Sequence, residues 1–351
     1  MQPLNVLIGP NASGKSNFIE VFRLLQALPN DPSRIIREGG GILEWLWKGG
    51  ESIPIAEISL RADKITYKLE FSRTGSRWQI MNEFIRYPSD HPEFRKIGQH
   101  PSENSILAEL KVNPLAMSIY DTSTSSVKKM DGADEASLLA KTLSQIGIYR
   151  DWDNSRYSSL RQPQRPDLPA QPLLEDLSNF SLLFNNLPLR INQKITEQLR
   201  EVYEGIEEIR PQIDGGTIQT LIYEKGLSSP TPLARVSDGT LRYLFILTML
   251  NQPEFSPLIC LEEPESGLHP DVIHRVAELL VEASQRTQLI VTTHSSSLIS
   301  ALSNIPEAVV VCERESNGTT LRRLDRESLA EWLERYELGE LWEKGVIGGT
   351  R

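Results

Sequence analysis

The last third of the chain changes repeatedly between two apolar patterns. Short unbroken apolar runs predict buried strands, and apolar residues at helical spacing predict helices that pack on one face. In chain order these segments are 241–250 (helix), 258–261 (strand), 270–283 (helix), 289–292 (strand), 298–302 (helix) and 308–311 (strand). Such alternation predicts an α/β fold in which helices cover a parallel sheet.

The N-terminal end of the chain has a strand, a loop and a helix in immediate succession. Residues 5–8 form an apolar run, and residues 9–16 read Gly-Pro-Asn-Ala-Ser-Gly-Lys-Ser. Residues 14–28 have helical spacing that stops at Pro29. This order and spacing match a P-loop, the glycine-containing turn that binds the phosphates of a nucleotide.

Between these ends the pattern predicts two further kinds of structure. Strict alternation over 54–87 predicts antiparallel strands. The other segments are a helix at 134–146, a proline-rich loop at 150–173, helical spacing at 174–202 and a hairpin of 206–213 with 218–223. The sequence therefore predicts an antiparallel β-subdomain and a helical insert in addition to the parallel sheet.

The P-loop supplies the groups that a triphosphate needs. Backbone N–H groups of the turn, and the dipole of the helix that follows, point at the phosphates. Lys15 is expected to reach the β- and γ-phosphates and to act in catalysis, and the Ser16 hydroxyl is expected to hold Mg²⁺. The predicted nucleotide-binding residues of this segment are Gly9, Pro10, Asn11, Ala12, Ser13, Gly14, Lys15, Ser16 and Asn17.

Two carboxylates, Glu262 and Glu263, directly follow the apolar run at 258–261. A parallel nucleotide-binding sheet presents its site at the carboxyl ends of its strands, where these two side chains are predicted to lie. Glu262 is predicted to bind Mg²⁺ through water, and Glu263 is predicted to polarise the attacking water as a catalytic residue. The alternative is a solvated acidic turn that also includes Glu265.

Two further polar turns complete the candidate site. His294 follows the strand at 289–292, so it is predicted to lie at the same sheet edge, where a neutral or shared-proton imidazole can sense the γ-phosphate. Ser237 and Gly239 precede the helix at 241–250, and a helix N-terminus with a serine can bind an anion. Taken alone, the Ser237 turn would be an ordinary helix cap.

The charge of the chain bears on nucleic-acid binding. The 351 residues carry a formal net charge of -10, which gives no overall field that attracts DNA. A local patch therefore remains the candidate for a DNA contact. Its residues would be Tyr149, Arg150, Trp152, Arg156, Tyr157, Arg161 and Arg165. A solvated loop is the favoured interpretation, because aspartates are interspersed among the arginines.

The cysteines and the apolar runs indicate the cellular setting. Cys260 and Cys312 lie in separate apolar runs and are predicted to be buried free thiols in a reducing compartment. No apolar run has the length of a membrane span, and no signal-type segment begins the chain. The sequence therefore predicts a cytoplasmic protein without a membrane partner.

Together, these motifs resemble the ABC-type ATPase heads of the SMC/RecF/OLD group. Within that group they resemble a bacterial family of predicted AAA-family or SMC-domain ATPases, over nearly the whole chain. The motifs that carry the resemblance are Asn-Val-Leu-Ile-Gly-Pro-Asn-Ala-Ser-Gly-Lys-Ser-Asn at 5–17, Ser-Asp-Gly-Thr-Leu-Arg at 237–242, Glu-Glu-Pro-Glu-Ser-Gly-Leu-His-Pro at 262–270, Thr-Thr-His-Ser at 292–295 and Leu-Gly-Glu-Leu-Trp at 338–342.

The resemblance implies a P-loop NTPase with an ABC-type head that binds ATP and Mg²⁺ and hydrolyses ATP. It implies that the Ser237 turn is a signature loop, which completes the active site of a second subunit. Two ATP molecules would then lie between the heads of a homodimer, and residues 266–269 would cross that interface. One head would consist of an N-terminal lobe (1–130), an insert (131–205) and a C-terminal lobe (206–351).

The sequence departs from that group in two respects. Such heads begin with a strand pair ahead of the P-loop strand, whereas Met1 stands only eight residues before Gly9. Residues that flank adenine and complete the sheet edge are therefore expected to be missing. No long coiled coil separates the motifs, which excludes a DNA-embracing arm. Gln79 is the candidate for the glutamine that links Mg²⁺ to the insert in such heads.

Three functions remain open. The first is an ATPase whose ATP-driven dimerisation acts as a switch in DNA repair or in defence against foreign DNA. The second is a nucleotide-sensing module with little turnover that regulates a partner effector protein. A transporter's ATP-binding subunit ranks lowest, because its signature loop would carry two glycines and a glutamine. No nuclease-like acidic cluster follows the head, so any nuclease is expected on a separate chain.

Overall fold

The computed structural model describes residues 1–49, 53–62, 65–86, 95–96, 105, 107, 118–121, 126–129, 133–150, 153, 155–253, 255–316 and 318–349. Its contacts divide the chain into two compact units. We call Met1–Ser16 with Gly147–Arg351 the sheet unit, and Asn17–Ile146 the hairpin unit. These bounds differ from 1–130, 131–205 and 206–351, because the chain leaves the sheet unit after residue 16 and returns at residue 147. The three-lobe division stays a prediction about function.

The regular elements alternate along the chain. The strands are β1 (Leu4–Ile8), β2 (Ala56–Ala62), β3 (Ile65–Thr74), β4 (Arg77–Arg86), β5 (Arg95–Lys96), β6 (Ser118–Asp121), β7 (Ser126–Lys129), β8 (Gly147–Tyr149), β9 (Ile206–Asp214), β10 (Thr217–Glu224), β11 (Thr231–Pro232), β12 (Leu258–Glu262), β13 (Gln288–Thr292), β14 (Val309–Glu315) and β15 (Gly318–Arg323). The helices are α1 (Lys15–Ala27), α2 (Pro32–Glu38), α3 (Ile42–Trp45), α4 (Ala133–Ser144), α5 (Phe180–Asn186), α6 (Leu189–Arg200), α7 (Asp238–Leu250), α8 (Pro270–Ser284), α9 (Ser296–Ser300), α10 (Arg326–Leu333) and α11 (Leu338–Glu343).

A six-stranded sheet organises the sheet unit. Its strand order is β15-β14-β1-β13-β12-β8, and every neighbouring pair is parallel except β14 with β15. The strand β1 is fully buried and has partners on both sides, as its continuous apolar run predicts. The predicted α/β fold with a parallel sheet is confirmed.

The register of the sheet brings several strand ends to one edge. Thr292 of β13 pairs with Leu7 of β1 and with Glu262 of β12. Tyr149 of β8 pairs with Leu261. The chain segments that follow β1, β8, β12 and β13 therefore all begin at the same edge, which is where nucleotide sites lie in open α/β sheets.

One hydrophobic core joins the sheet to its helices. Its buried residues come from β1, β12, β13 and β14 and from each of the helices α5 to α11. The helix α7 is buried along residues 240–250, because its sequence is apolar on almost every side. Beside it, β9, β10 and β11 form a three-stranded antiparallel sheet that includes the predicted hairpin.

The hairpin unit contains the predicted antiparallel strands. The strands β2, β3, β4 and β5 form one sheet, and β6 pairs with β7 in another. Alternate residues of β3 are buried over most of its length, which is the period-2 pattern that the sequence shows. Within the described residues of the chain, no helix is long and apolar enough to cross a membrane.

Candidate nucleotide-binding site

The P-loop connects β1 to α1 in a conformation that two glycines permit. Gly9 has φ 152° and Gly14 has φ 96°, both in the region that favours glycine. A Cβ on Gly9 would overlap the carbonyl oxygen of Cys312, and a Cβ on Gly14 would overlap the Thr319 hydroxyl. Ala12 adopts φ 61° without being glycine, which is a local strain of the kind found at functional sites.

Lys15 lies inside the loop and holds it closed. Its ammonium group donates to the carbonyl oxygen of Gly9 (2.7 Å) and to that of Pro10 (3.0 Å). Burial lowers the pKa of Lys15, an effect that the nearby carboxylates of Glu262 and Glu263 oppose. The amine thus lies where added negative charge, such as phosphate, would stabilise its charged form.

Ser16 and Glu262 meet directly, although 246 positions separate them in sequence. The Ser16 hydroxyl donates a hydrogen bond to one carboxylate oxygen of Glu262. The other oxygen lies 3.3 Å from Nε of Arg150, the residue that follows β8. Mg²⁺ takes oxygen ligands and keeps several waters beside phosphate, so one hydroxyl and one carboxylate are a suitable pair for it. These two residues therefore fit the predicted metal position.

Glu263 stands beside His294 at the same sheet edge. Its backbone has φ 46°, and its N–H donates to the Thr292 carbonyl oxygen (3.0 Å). Its carboxylate lies 3.6 Å from Nε2 of His294 and accepts a hydrogen bond from the Ser266 hydroxyl (3.1 Å). Both the Glu263 and the His294 side chains are partly exposed, so water can reach the carboxylate.

Glu265 is the residue whose setting the sequence did not reveal. The alternative of a solvated acidic turn is wrong for it, since Glu265 is only 7% exposed. Its Oε1 accepts from the Thr293 hydroxyl (2.5 Å) and from the His294 N–H (3.0 Å). Glu265 thereby ties the loop after β12 to the loop that carries His294. In the sequence, only its position within the motif at 262–270 could have indicated a role for Glu265.

Removal of the Glu265 carboxylate is expected to loosen the His294 loop. In Glu265→Ala, Thr293 and His294 lose their acceptor, and we expect the free energy of unfolding to fall by about 2 kcal/mol. Glu265→Gln keeps an oxygen acceptor and removes the buried charge. Thermal unfolding of the two variants measures the difference, and equal melting temperatures would contradict this role.

The same residue gives a pH dependence with a definite sign. Burial, the largest cause, raises the pKa of Glu265 above its ordinary value of 4.5. The folded protein then holds a proton more strongly than the unfolded chain, so the stability gained is present at low pH and is lost as pH rises through the raised pKa. We expect wild type to lose melting temperature relative to Glu265→Gln as pH rises from 4.5 through that raised pKa. A constant difference between the two would contradict the assignment.

The Ser237 turn caps α7. The Ser237 hydroxyl accepts from the Thr240 N–H (3.2 Å), and the helix begins at Asp238 rather than at the predicted residue 241. Ser237 is exposed, whereas the helix body is buried. Gly239 lies against the backbone of Gly267, since a Cβ there would approach the Gly267 carbonyl oxygen to 3.2 Å. The candidate signature turn and the loop at 266–269 are therefore neighbours within one chain.

Two arginines fix this turn. Arg161, only 9% exposed, donates to the carbonyl oxygens of Leu233 (3.2 Å) and Val236 (2.8 Å) and pairs with the Asp238 carboxylate. Arg242 of α7 donates to the Ser266 carbonyl oxygen. Burial lowers the pKa of Arg242 to about 10. Arg161 thus binds the backbone of the turn, and Arg242 joins the turn to the loop after β12.

Two predictions for this region fail at single residues. Arg161 is expected in a solvated loop but is buried, and Tyr149 is a candidate for an exposed basic patch but is also buried. Tyr149 is buried, and its hydroxyl donates to the Leu173 carbonyl oxygen (2.9 Å). Trp152, the second aromatic residue of that patch, lies outside the described residues. Arg165 is exposed and pairs with Asp167. Arg150, Arg161 and Arg165 therefore have three different carboxylate partners.

Loss of the Arg161 side chain is expected to destabilise the fold measurably. Arg161→Ala removes the guanidinium that binds the Leu233 and Val236 carbonyl oxygens and the Asp238 carboxylate, so we expect the free energy of unfolding to fall by about 2 kcal/mol. Arg165→Ala removes an exposed pair and is expected to leave the free energy of unfolding close to that of wild type. Urea unfolding of both variants makes the comparison. Equal effects would show that Arg161 does not support the turn.

A cavity of about 570 Å³ opens beside the P-loop. Gly9, Pro10 and Asn11 form one wall, and His294 another. The remaining wall is the C-terminal segment after α10, including Trp342, Lys344 and Gly349. Trp342 donates to the Gly349 carbonyl oxygen (3.1 Å), which closes this segment into a turn.

The remaining sequence predictions have mixed outcomes. Gln79 lies in the hairpin unit, where it accepts a hydrogen bond from the Thr74 hydroxyl (2.5 Å), and its link to Mg²⁺ stays a prediction. Asn17 is the third residue of α1 and is exposed. Cys260 and Cys312 are buried free thiols, as predicted, and burial raises the pKa of both.

The family of the chain follows from its sequence as a whole. The family described as "AAA domain, putative AbiEii toxin, Type IV TA system" matches residues 4–300. The chain belongs to this AAA family. Its matched range includes the P-loop, the Ser237 turn, both carboxylates and His294.

Two known proteins are similar to this member of the AAA family. The Old nuclease of Escherichia phage P2 is 30% identical over 164 residues, which are 42% of this chain and 27% of that protein. The chain thus matches about a quarter of that relative's length. The solved SMC head bound to the C-winged helix domain of ScpA shares 13% identity and a TM-score of 0.53, over 93% of this chain and 92% of that chain. The fold is therefore like that of an SMC head.

Proposed function

We propose that this protein binds ATP with Mg²⁺, hydrolyses it, and dimerises head to head while ATP is bound. One observation carries the proposal: the Ser16 hydroxyl of the P-loop contacts Glu262, the carboxylate that ends β12, and β13 separates β12 from β1 in the sheet. A P-loop alone binds phosphate, whereas a P-loop joined to such a carboxylate also provides a magnesium position. Membership of the AAA family supports the same activity.

The neighbouring groups have suitable chemistry for the hydrolytic step. Mg²⁺, when bound, would neutralise phosphate charge and orient the γ-phosphate. Glu263 is partly exposed and has an accepting carboxylate, so it can orient and polarise a water. His294, 3.6 Å from that carboxylate, can donate to the γ-phosphate. Lys15 provides the fixed positive charge within the loop.

The signature role of the Ser237 turn is supported by its exposure and by its cap geometry. A rigid, exposed helix N-terminus can bind the γ-phosphate of an ATP held by another subunit. Arg161 and Arg242 hold the turn in place without help from a ligand. We propose that two copies of the chain enclose two ATP molecules in this way and that the switch acts in DNA repair or in defence against foreign DNA, in the cytoplasm.

A nucleotide-sensing module that regulates an effector protein is the second candidate. The similarity to the Old nuclease favours this candidate, because the chain matches only 27% of that protein. A head of this kind can regulate an effector that is not part of the head itself. The two candidates differ in turnover. Purified protein should be assayed for ATP binding by calorimetry and for phosphate release with Mg²⁺, with and without DNA.

ATP binding and phosphate release together distinguish the two candidates. Binding with steady phosphate release supports the ATPase, and stimulation by DNA supports a role on DNA. Binding without release supports the sensing module. The absence of ATP binding in the presence of Mg²⁺ would refute both candidates.

A further inference from the structure

Arg150 occupies a defined place in the nucleotide site. It is the first residue after β8, which pairs in parallel with the strand that ends at Glu262. Because Tyr149 lies opposite Leu261 in the register, the next residues of the two strands, Arg150 and Glu262, emerge side by side. Their charged groups lie 3.3 Å apart, and both side chains are mostly buried. The sheet therefore fixes this pair, unlike an ion pair between two mobile surface loops.

The pair places a positive charge where a metal would act. Glu262 directs one oxygen at Ser16 and the other at Arg150, so both oxygens are engaged. A triphosphate entering the P-loop would approach the carboxylates of Glu262 and Glu263, which repel it unless a cation compensates them. Mg²⁺ ordinarily provides that compensation, and the guanidinium of Arg150 provides a second source of it.

We infer that Arg150 is a resident counter-charge for Glu262 that permits ATP to bind before the metal. The inference rests on the proposed ATP binding. In the metal-free site, Arg150 offsets the charge of Glu262 and the P-loop accepts the triphosphate. With Mg²⁺ bound, Glu262 would face the metal instead of the arginine, and the guanidinium would turn toward solvent or toward the phosphates. Arg150 is thus a positioning residue for the metal step.

The alternative roles of Arg150 make different predictions. A general phosphate-binding residue would strengthen ATP binding equally with and without metal. A purely structural arginine would affect stability and leave the metal dependence of binding unchanged. Only a counter-charge for Glu262 should affect binding selectively when metal is absent, and only while Glu262 is an anion.

The test is a double-mutant cycle on the metal dependence of ATP affinity. The dissociation constant of a fluorescent ATP analogue is measured in Mg²⁺ and in EDTA for wild type, Arg150→Gln, Glu262→Gln and the double variant. Arg165→Gln is the matched control, because Arg165 is an exposed arginine of the same segment, paired with Asp167. The ratio of the two dissociation constants is the readout.

We expect Arg150→Gln to raise the EDTA-to-Mg²⁺ ratio about tenfold over wild type, because Glu262 then repels metal-free ATP. In the Glu262→Gln background the same substitution should change the ratio by less than about twofold, since no carboxylate remains to be compensated. Arg165→Gln should resemble wild type. An unchanged ratio in Arg150→Gln, or an equal weakening in both conditions, would overturn the inference. Failure of wild type to bind ATP in Mg²⁺ would instead refute the proposed function.

Discussion

Replacement of Lys15 by alanine is expected to abolish ATP binding. The ammonium group is the cation that closes the P-loop, and it lies 2.7 Å from the Gly9 carbonyl oxygen at the bottom of the turn. A triphosphate in the loop would replace these carbonyl contacts with charge-assisted hydrogen bonds, which are about twice as strong as neutral ones. We expect the affinity for ATP to fall about 100-fold or more, measured by calorimetry in Mg²⁺.

Two controls separate this effect from loss of structure. Lys15→Arg keeps the positive charge but not its compact shape, so it should bind ATP weakly rather than not at all. Lys344→Ala removes a lysine from the wall of the cavity beside the P-loop, and the amine of Lys344 packs over the Tyr336 ring at 3.6 Å. It should retain ATP binding within about threefold. Retained binding by Lys15→Ala, with melting temperatures like wild type, would contradict the P-loop assignment.

The sequence predicts those site residues that directly follow a strand along the chain. The apolar run at 258–261 predicts a strand, and the parallel sheet then places Glu262 and Glu263 at its carboxyl edge. His294 follows by the same logic from the next strand. The register pair of Glu262 with Thr292 brings these loops together, as the alternation of strands and helices predicts.

The residues that the sequence does not assign act through distant partners. Arg161 lies 75 positions from Val236, whose carbonyl oxygen it binds, and nothing in its own segment distinguishes it from the exposed Arg165. Glu265 is one of three nearby glutamates, and only packing shows that it is buried against Thr293 and His294. Local spacing cannot separate a solvated charge from one whose partners come from another element of the fold.

The C-terminal segment illustrates the same limit. Its Leu-Gly-Glu-Leu-Trp motif at 338–342 contributed to the resemblance but had no assigned role. In the structure, Gly339 packs against the Ser296 carbonyl oxygen, where a Cβ would overlap it. Gly349 lies close to Gly9, since a Cβ there would come within 3.4 Å of the Gly9 Cα. The small residues of this segment therefore permit close approach to the His294 and P-loop elements, an effect of tertiary packing alone.

The substitution Glu263→Gln is expected to trap an ATP-bound dimer. It preserves the size of the side chain and the backbone hydrogen bond to Thr292, while it removes the carboxylate that would polarise water. We expect phosphate release to fall by about 100-fold or more, because a positioned base contributes this much to proton transfer. If two heads enclose the nucleotide and hydrolysis opens them, ATP should double the mass measured by light scattering.

The Ser237 turn provides matched controls for that experiment. In the Glu263→Gln background, Ser237→Asn and Ser237→Asp both keep a residue that caps α7 well. Only Ser237→Asp adds a negative charge, which would face the γ-phosphate bound by the other subunit and repel it. We expect the Asp variant to remain monomeric with ATP and still to bind ATP through its own P-loop, whereas the Asn variant should dimerise more than the Asp variant. A Glu263→Gln protein that binds ATP yet stays monomeric would exclude the sandwich arrangement, because the ATP-bound state would then be complete within one chain.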